Sequence, residues 1–338
     1  MTPAMLRELA EFSAAIGRDP EQVQAAGGNT STKENGLLWV KASGLWLADA
    51  LQQDIFVPVR LATVLEAVEA GEADPVTAAV VGELNPSGLR PSIETTLHAL
   101  LPHRIVVHTH SVRTIALAIR ADAEALLAER LDGLKWLWVP YCKPGLPLTL
   151  AVAERLATGA ADVLVLGNHG LVVGGATVNE AAALLAQVEQ RLEAPVRPMA
   201  EATPDAGGNP DVGLPLREPA HVRTHTLARD PKHLAWATAG SLYPDHVIFL
   251  GRGAASLADP EAARRGSKLF LQPGTGAMLA AATTASADEL ALCLALVLER
   301  VPEDGTLRYL TAEDEAELLD WDAEKYRQSL AGARIAST

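Results

Sequence analysis

Cysteine and aromatic side chains are scarce in this chain: two cysteines, and 4% Phe, Trp and Tyr together, in 338 residues. Cys142 and Cys293 stand far apart with no metal-type spacing, which excludes a disulfide scaffold or a thiolate metal centre and predicts a reducing compartment. Basic residues are also short, 28 Lys and Arg against 42 Asp and Glu for a formal charge of -14. No block of Lys or Arg could lie along a phosphate backbone, so nucleic acid is excluded as an expected partner, and an anionic substrate would need a local positive site. No apolar stretch reaches the roughly 18 residues of a membrane span. Even "SADELALCLALVLERV" (286–301) is interrupted by Asp288, Glu289 and Glu299. The opening "MTPAMLRELAEFSAAIGRDP" lacks the basic start and apolar core of a secretory signal and reads as an amphipathic helix. The expectation from these absences is a cytoplasmic protein without membrane association.

What is present is 49% hydrophobic composition, enough for a sizeable core and, at this length, for two domains. Short apolar runs alternate with helical patterns in the first half, the signature of an α/β layer structure. Strands are expected at 37–43, 104–110, 136–141, 162–167 and 170–175, and helices at 3–17, 60–70, 92–101, 111–128, 149–158 and 177–193. The stretch from 194 to 220 is rich in Pro, Gly and Ala without a sustained period and reads as a linker. Beyond it, "DHVIFLG" (245–251) reads as a strand. The segments 162–192 and 268–301 share the order strand, glycine-bearing turn, strand, Thr/Ser-rich helix start and long aliphatic helix. Two readings stand: a degenerate internal duplication, or a common order of elements met twice. In the duplication reading Thr275 takes the place of His169 and "FLGR" the place of "VHTH", so the second copy carries no metal ligands.

The chemistry concentrates at "RIVVHTHS" (104–111). Side chains two apart on a strand share a face, so His108 and His110 can converge on one point while Thr109 cannot. A lone histidine on an apolar strand is ordinarily a hydrogen-bonded core residue; two on one face at a strand end also fit a chelate. "LGNHGLVVGG" holds His169 in a glycine-flanked turn, which suits either close approach to a ligand or a plain hairpin with a bystander imidazole. Three neutral imidazoles with an open position would suit a catalytic zinc ion, with Zn–N distances of about 2.0–2.1 Å. In "RPSIETTLHALLP", Ser92 is a candidate N-cap, Pro102 ends the helix, and Glu94 and His98 share one face. Glu94 then either complements the helix dipole or serves the site. "AGGNTSTKENGLLWVKASG" offers glycines, hydroxyls and Lys41 that could form an anion-binding nest, or only a turn.

Taken together and in order, "GGNTSTK", "KASG", "PSIETTLHALLPHRIVVHTHS" and "GNHGLVVGG" resemble the class II aldolase/adducin family over roughly residues 20–195. That family includes fuculose- and rhamnulose-phosphate aldolases and ribulose-phosphate epimerases. The whole chain is similar to the aldolase part of bifunctional aldolase/short-chain dehydrogenase proteins. No Gly-rich dinucleotide fingerprint follows, so the dehydrogenase module is expected to be missing. The resemblance implies a three-layer α/β/α sandwich for residues 1–195; the chain's own pattern adds a linker (196–220) and a smaller C-terminal α/β region (221–338). The resemblance also implies a divalent metal, usually Zn2+, held by His108, His110 and His169, with Glu94 as the acid/base. Gly28, Asn29, Ser43, Gly44 and Ser92 would line a phosphate pocket. One departure is Ile93, where the sugar-phosphate aldolases carry a second serine; the family's catalytic tyrosine has no assigned counterpart among Tyr141, Tyr243, Tyr309 and Tyr326. The implied activity is cleavage or formation of a carbon–carbon bond in a ketose or ketose phosphate through an enediolate, by a homo-oligomer, often a tetramer. Epimerisation, dehydration or decarboxylation at the same site, and a non-catalytic adducin-like interaction module, are the alternatives.

Overall fold

Seven strands in the order β3-β2-β1-β4-β7-β6-β5 form the central sheet of the first of two units in the computed structural model, Met1–Thr114 with Glu124–Leu192. The structure describes residues 4–197, 213–257, 266–322 and 325–326; most of the Pro/Gly-rich stretch read as a linker, residues 198–212, lies outside them.

The strands of the first unit are β1 (Asn29–Glu34), β2 (Leu37–Lys41), β3 (Phe56–Arg60), β4 (Ile105–Thr109), β5 (Trp136–Val139), β6 (Val163–Leu166) and β7 (Gly170–Gly175). β4, β6 and β7 are buried along their whole length, which is why they read as continuous apolar runs and not as alternating ones. Helices cover both faces. α2 (Leu61–Glu69), α3 (Thr95–Leu100) and α6 (Leu146–Leu156) lie on one: Leu97, Leu148 and Val152 pack on Val106, Leu164 and Val172, and Val64 and Ala99 pack on Leu38, Val40 and Val59. Each such leucine or valine contributes about 1.5–3 kcal/mol by leaving water. α1 (Ala4–Gly17) and α7 (Val178–Arg191) take the other face, where Ser13 of α1 meets Thr30 of β1 at 2.7 Å. The three-layer α/β/α sandwich is thus observed.

β1 and β3 were not expected as strands. β1 reads NTSTKE, with no apolar period; its hydroxyl and amide side chains are nonetheless buried, because β2 and β4 pair with it on either side. The single helix expected over 111–128 is two, α4 (Val112–Ala118) and α5 (Ala123–Arg130). Between them the backbone turns to other partners: Arg120 bridges Leu307, and the Ala121 N–H donates to the Thr306 carbonyl.

The second unit comprises Ile115–Ala123 and Glu193–Thr338. It contains β8 (Leu216–Arg217), α8 (Thr226–Arg229), α9 (Pro231–Ala239), β9 (Ala255–Ser256), β10 (Leu269–Gln272), β11 (Gly276–Ala280), α10 (Ala285–Leu298) and α11 (Ala312–Leu319). The strand expected at 245–251 is instead a fully buried π-helical turn, His246–Leu250. A short apolar run between turn signals fits a buried helix as well as a strand, and the Gly251 N–H closes this one onto the Val247 carbonyl.

The four-stranded sheet has the order β8-β11-β10-β9, paired antiparallel, antiparallel and parallel, as β4-β7-β6-β5 are in the first unit. Laying the β10–β11 turn on the β6–β7 turn matches Gly276 to Gly170 and Leu279 to Val173, whose cross-strand partners are Arg217 and Val107. Carried forward along the chain, that register places Val222-Arg223-Thr224 on Val112-Arg113-Thr114 and Leu227-Ala228 on Leu117-Ala118. Each arginine pairs with a glutamate, Arg113 with Glu189 at 3.2 Å and Arg223 with Glu299 at 2.5 Å. The second unit thus repeats the strand order and pairing senses of half of the first. Thr275 takes the place of His169 as expected, but the counterparts of His108 and His110 are Glu218 and Ala220, not residues of "FLGR". None of the three imidazoles has a histidine counterpart.

Candidate metal centre

His108 sits near the end of β4, directly opposite Asn29 of β1 on one side and Val172 of β7 on the other. His110 follows just past the strand and returns to the same face. The third imidazole arrives on the turn between β6 and β7, where Asn168 takes a left-handed φ of 51° and the His169 N–H donates to the Leu166 carbonyl. Gly170 makes this approach possible: a Cβ there would lie 2.3 Å from the Thr109 carbonyl oxygen and 3.4 Å from the His108 ring. Gly28, with φ of 59°, is pressed in the same way against the His108 carbonyl oxygen, 2.8 Å from where its Cβ would stand.

The three rings form a nearly equilateral triangle, with centroids 4.9, 5.0 and 5.2 Å apart. Their ligand nitrogens all lie within 4.8 Å of one another, and all three residues are buried. Glu94 closes the open side. Its Oε2 is 3.3 Å from His108 Nε2 and its Oε1 3.5 Å from His169 Nε2. Burial alone would push the Glu94 carboxyl up, but His108, His169, a hydrogen bond from Asn29 and His110 together hold it down at about 2, so it is a carboxylate at neutral pH.

These donors fit a divalent cation. His108 Nδ1 donates to the Leu171 carbonyl at 3.0 Å, which turns the Nε2 lone pair toward the centre of the triangle and toward an ionised carboxylate. Two acceptors facing each other at that distance repel unless a proton or a cation stands between them. Imidazole nitrogens with one carboxylate suit zinc and neighbouring divalent ions better than magnesium or calcium, which prefer all-oxygen shells.

The loop residues are brought to the same place by short backbone pairings. Ala42 bridges Pro91, the Ser43 N–H donates to the Arg90 carbonyl and the Ser92 N–H to the Lys41 carbonyl, so "KASG" lies along the segment entering α3. Asn29 Nδ2 donates to Ser92 Oγ at 3.1 Å and to Glu94 Oε2 at 2.8 Å. Lys41 Nζ donates to the Ala26 carbonyl and ties the glycine loop to β2. Gly44 follows Ser43 in a turn with φ of 79°. The expected N-cap is corrected: α3 starts at Thr95, with Glu94 in the cap position, and Ser92 Oγ accepts from the Glu94 N–H at 3.2 Å two residues earlier than a cap would. Ser92 thereby orients the backbone that presents Glu94.

Ser31 and Lys33 were not singled out by sequence reasoning, and His98 was noted only for sharing a helix face with Glu94. His98 is fully buried between Asn29 and Ser31, and burial, partly offset by Glu94, pushes its imidazole down to about 3. Lys33 donates to the Leu101 carbonyl, and burial pushes its ammonium down to about 8. Asn29, Ser31 and Lys33 alternate along β1 toward α3, and this two-residue period of polar side chains is the signal that could have revealed the seam.

The model of the Class II Aldolase and Adducin N-terminal domain matches residues 7–196. A Bacillus subtilis protein described as "Uncharacterized oxidoreductase YuxG" is 33% identical over 191 residues, 52% of this chain but only 27% of its own length. The L-fuculose phosphate aldolase of Methanococcus vannielii is 29% identical over 170 residues, 48% of this chain and 80% of that enzyme. Among solved structures, the N-terminal class II aldolase domain of a conserved Thermoplasma acidophilum protein is 29% identical, with a TM-score of 0.47, over 57% of this chain and 93% of that one. Over more than half its length, this chain belongs to the class II aldolase and adducin N-terminal domain family.

Proposed function

We propose that the chain is a metal-dependent aldolase that cleaves or forms a carbon–carbon bond in a ketose or ketose phosphate. His108, His110 and His169 would hold the ion and Glu94 would carry the proton. The observation that carries this reading is the placement of a buried, ionised carboxylate within 3.3 and 3.5 Å of two of three converging imidazoles. A scaffold without chemistry gains nothing from burying such a charge. The L-fuculose phosphate aldolases of two archaea among its relatives support a ketose phosphate as the substrate class.

When bound, a divalent ion would supply Lewis acidity at the carbonyl and adjacent hydroxyl of a ketose. The protein's own part is orientation and proton transfer. The Leu171 carbonyl fixes the His108 tautomer. Asn29 and Ser92 hold Glu94; in cleavage its carboxylate would take up the proton that leaves the hydroxyl whose carbon becomes the aldehyde and return a proton to the carbon left by the broken bond, and bond formation would run the same transfers in reverse. Residues 1–195 would carry this activity, followed by a linker (196–220) and the C-terminal region (221–338), with a homo-oligomer as the assembled form.

Gly28, Asn29, Ser43, Gly44 and Ser92 would face the substrate's phosphate. Ile93 offers no hydroxyl there, which removes one charge-assisted hydrogen bond of about 1.5–3 kcal/mol. Turnover of a ketose and of its 1-phosphate, compared on one preparation, tests this: both should react, with a weaker preference for the phosphate than a second hydroxyl would give, and Ile93→Ser should strengthen it. Strong phosphate dependence insensitive to Ile93→Ser and to Asn29→Ala would place the anion elsewhere.

A further inference from the structure

The amide of Asn29 touches Glu94 with one end and His98 with the other, and the two ends differ in chemistry although they match in shape. Nδ2 lies 2.8 Å from Glu94 Oε2 and 3.1 Å from Ser92 Oγ, while Oδ1 meets His98 Nε2. On the far side of that ring, His98 Nδ1 is 2.7 Å from Ser31 Oγ. All of these residues are buried, Ser31 and His98 completely.

With His98 neutral, as its burial dictates, only one assignment of protons satisfies the whole row. An ionised carboxylate accepts and cannot donate, so Asn29 must present its NH2 group to Glu94 and its carbonyl to His98. His98 must then donate from Nε2, which leaves Nδ1 as an acceptor for the Ser31 hydroxyl. With the other tautomer the Asn29 carbonyl would face a lone pair; rotating the amide to relieve that would put its oxygen against the carboxylate. The Asn29 carbonyl selects this tautomer, and the Ser31 hydroxyl, which can donate as well as accept, satisfies the Nδ1 that it leaves as an acceptor.

We propose that His98 is a positioning residue: as the Nε2–H tautomer, with its Nδ1 satisfied by Ser31, it locks the Asn29 amide so that Nδ2 fixes the Glu94 carboxylate beside the imidazole triangle. The importance of this for turnover rests on the reading of Glu94 as the proton carrier. One consequence concerns Asn29 itself. Both of its N–H groups are engaged, by Ser92 and Glu94, so Asn29 would reach a substrate's phosphate only by exchanging one of these partners for it.

The test compares His98→Leu, which removes both ring nitrogens, with His98→Gln, whose side-chain N–H can stand where the Nε2–H stood. Ser31→Ala serves as a milder variant should His98→Leu not fold. Crystal structures of the full-length variants, the content of bound zinc, and kcat and KM for a ketose are measured together. In His98→Leu the Asn29 amide should rotate and the Glu94 carboxylate leave its place, with zinc retained and KM little changed while kcat falls on the order of 10–100-fold. His98→Gln should restore the carboxylate position and most of kcat, and Ser31→Ala should fall between. A Glu94 carboxylate that keeps its position in His98→Leu, or in Ser31→Ala if that is the variant that folds, overturns the proposal. So does equal loss of kcat in His98→Leu and His98→Gln, which would mark a packing role. If the carboxylate moves as expected but the wild-type protein turns over no ketose, the positioning holds and the aldolase reading fails.

Discussion

Substituting Glu94→Gln should lower kcat by about 10²- to 10⁴-fold, the range that a positioned acid/base group typically contributes. The amide keeps the size of the side chain and an oxygen that can still accept from Asn29 Nδ2, but it cannot take a proton at neutral pH. The three imidazoles remain, so bound metal should stay near one equivalent. If Glu94 served only as the residue at the start of α3 that complements the helix dipole, the change would cost about 0.3–1 kcal/mol of stability and leave turnover intact. Metal content, melting temperature and turnover measured on one preparation separate the two roles. Near wild-type turnover in Glu94→Gln would move the base to another residue.

The second large effect is expected from His110→Ala. His108 and His169 are each fixed by backbone contacts near or within the sheet, whereas His110 lies beyond the last residue of β4 and supplies the third corner of the triangle. Without it the site offers two imidazoles, and most of the metal should be lost on dialysis. The fall in affinity should exceed the roughly 10–100-fold that follows removal of an outer partner of a ligand. Metal added at about 100 times the dissociation constant stabilises a folded protein by about 2.7 kcal/mol, so the wild-type melting temperature should rise with added zinc and that of His110→Ala should not. Equal metal content and equal thermal response in the two proteins would show that His110 is a core residue only.

The sequence already contained the imidazole triangle in a readable form. His108 and His110 follow from the two-residue period of a strand, and His169 from its glycine-flanked turn, because a site built at strand ends leaves local marks. The reason for Gly170 was not readable: its need comes from the Thr109 carbonyl, more than sixty residues away and brought close only by β4–β7 pairing. The same holds for β1. Its polar side chains carry no apolar period, and what makes NTSTKE a buried strand is pairing on both sides and the α3 residues that satisfy its polar groups. The misread strand at 245–251 shows the reverse failure, since four apolar residues in a row, Val247–Leu250, specify burial but not backbone conformation. The repeat of half the first unit's pattern lay between these cases. Its element order was visible, but the correct partner of β4 was not, because β8 is two residues long and only its pairing with β11 reveals the register that brings the two Val-Arg-Thr segments together.

The most direct test of the account is to follow aldehyde release from a panel of ketoses and ketose 1-phosphates, with the 338-residue chain first stripped of metal by a chelator and then supplied with zinc. The account predicts that the stripped protein is inactive and that zinc restores carbon–carbon cleavage, seen as an aldehyde product trapped in step with loss of the ketose. Cleavage that proceeds equally well without the ion, or zinc-dependent conversion of the sugar to its epimer with no aldehyde formed, would contradict it.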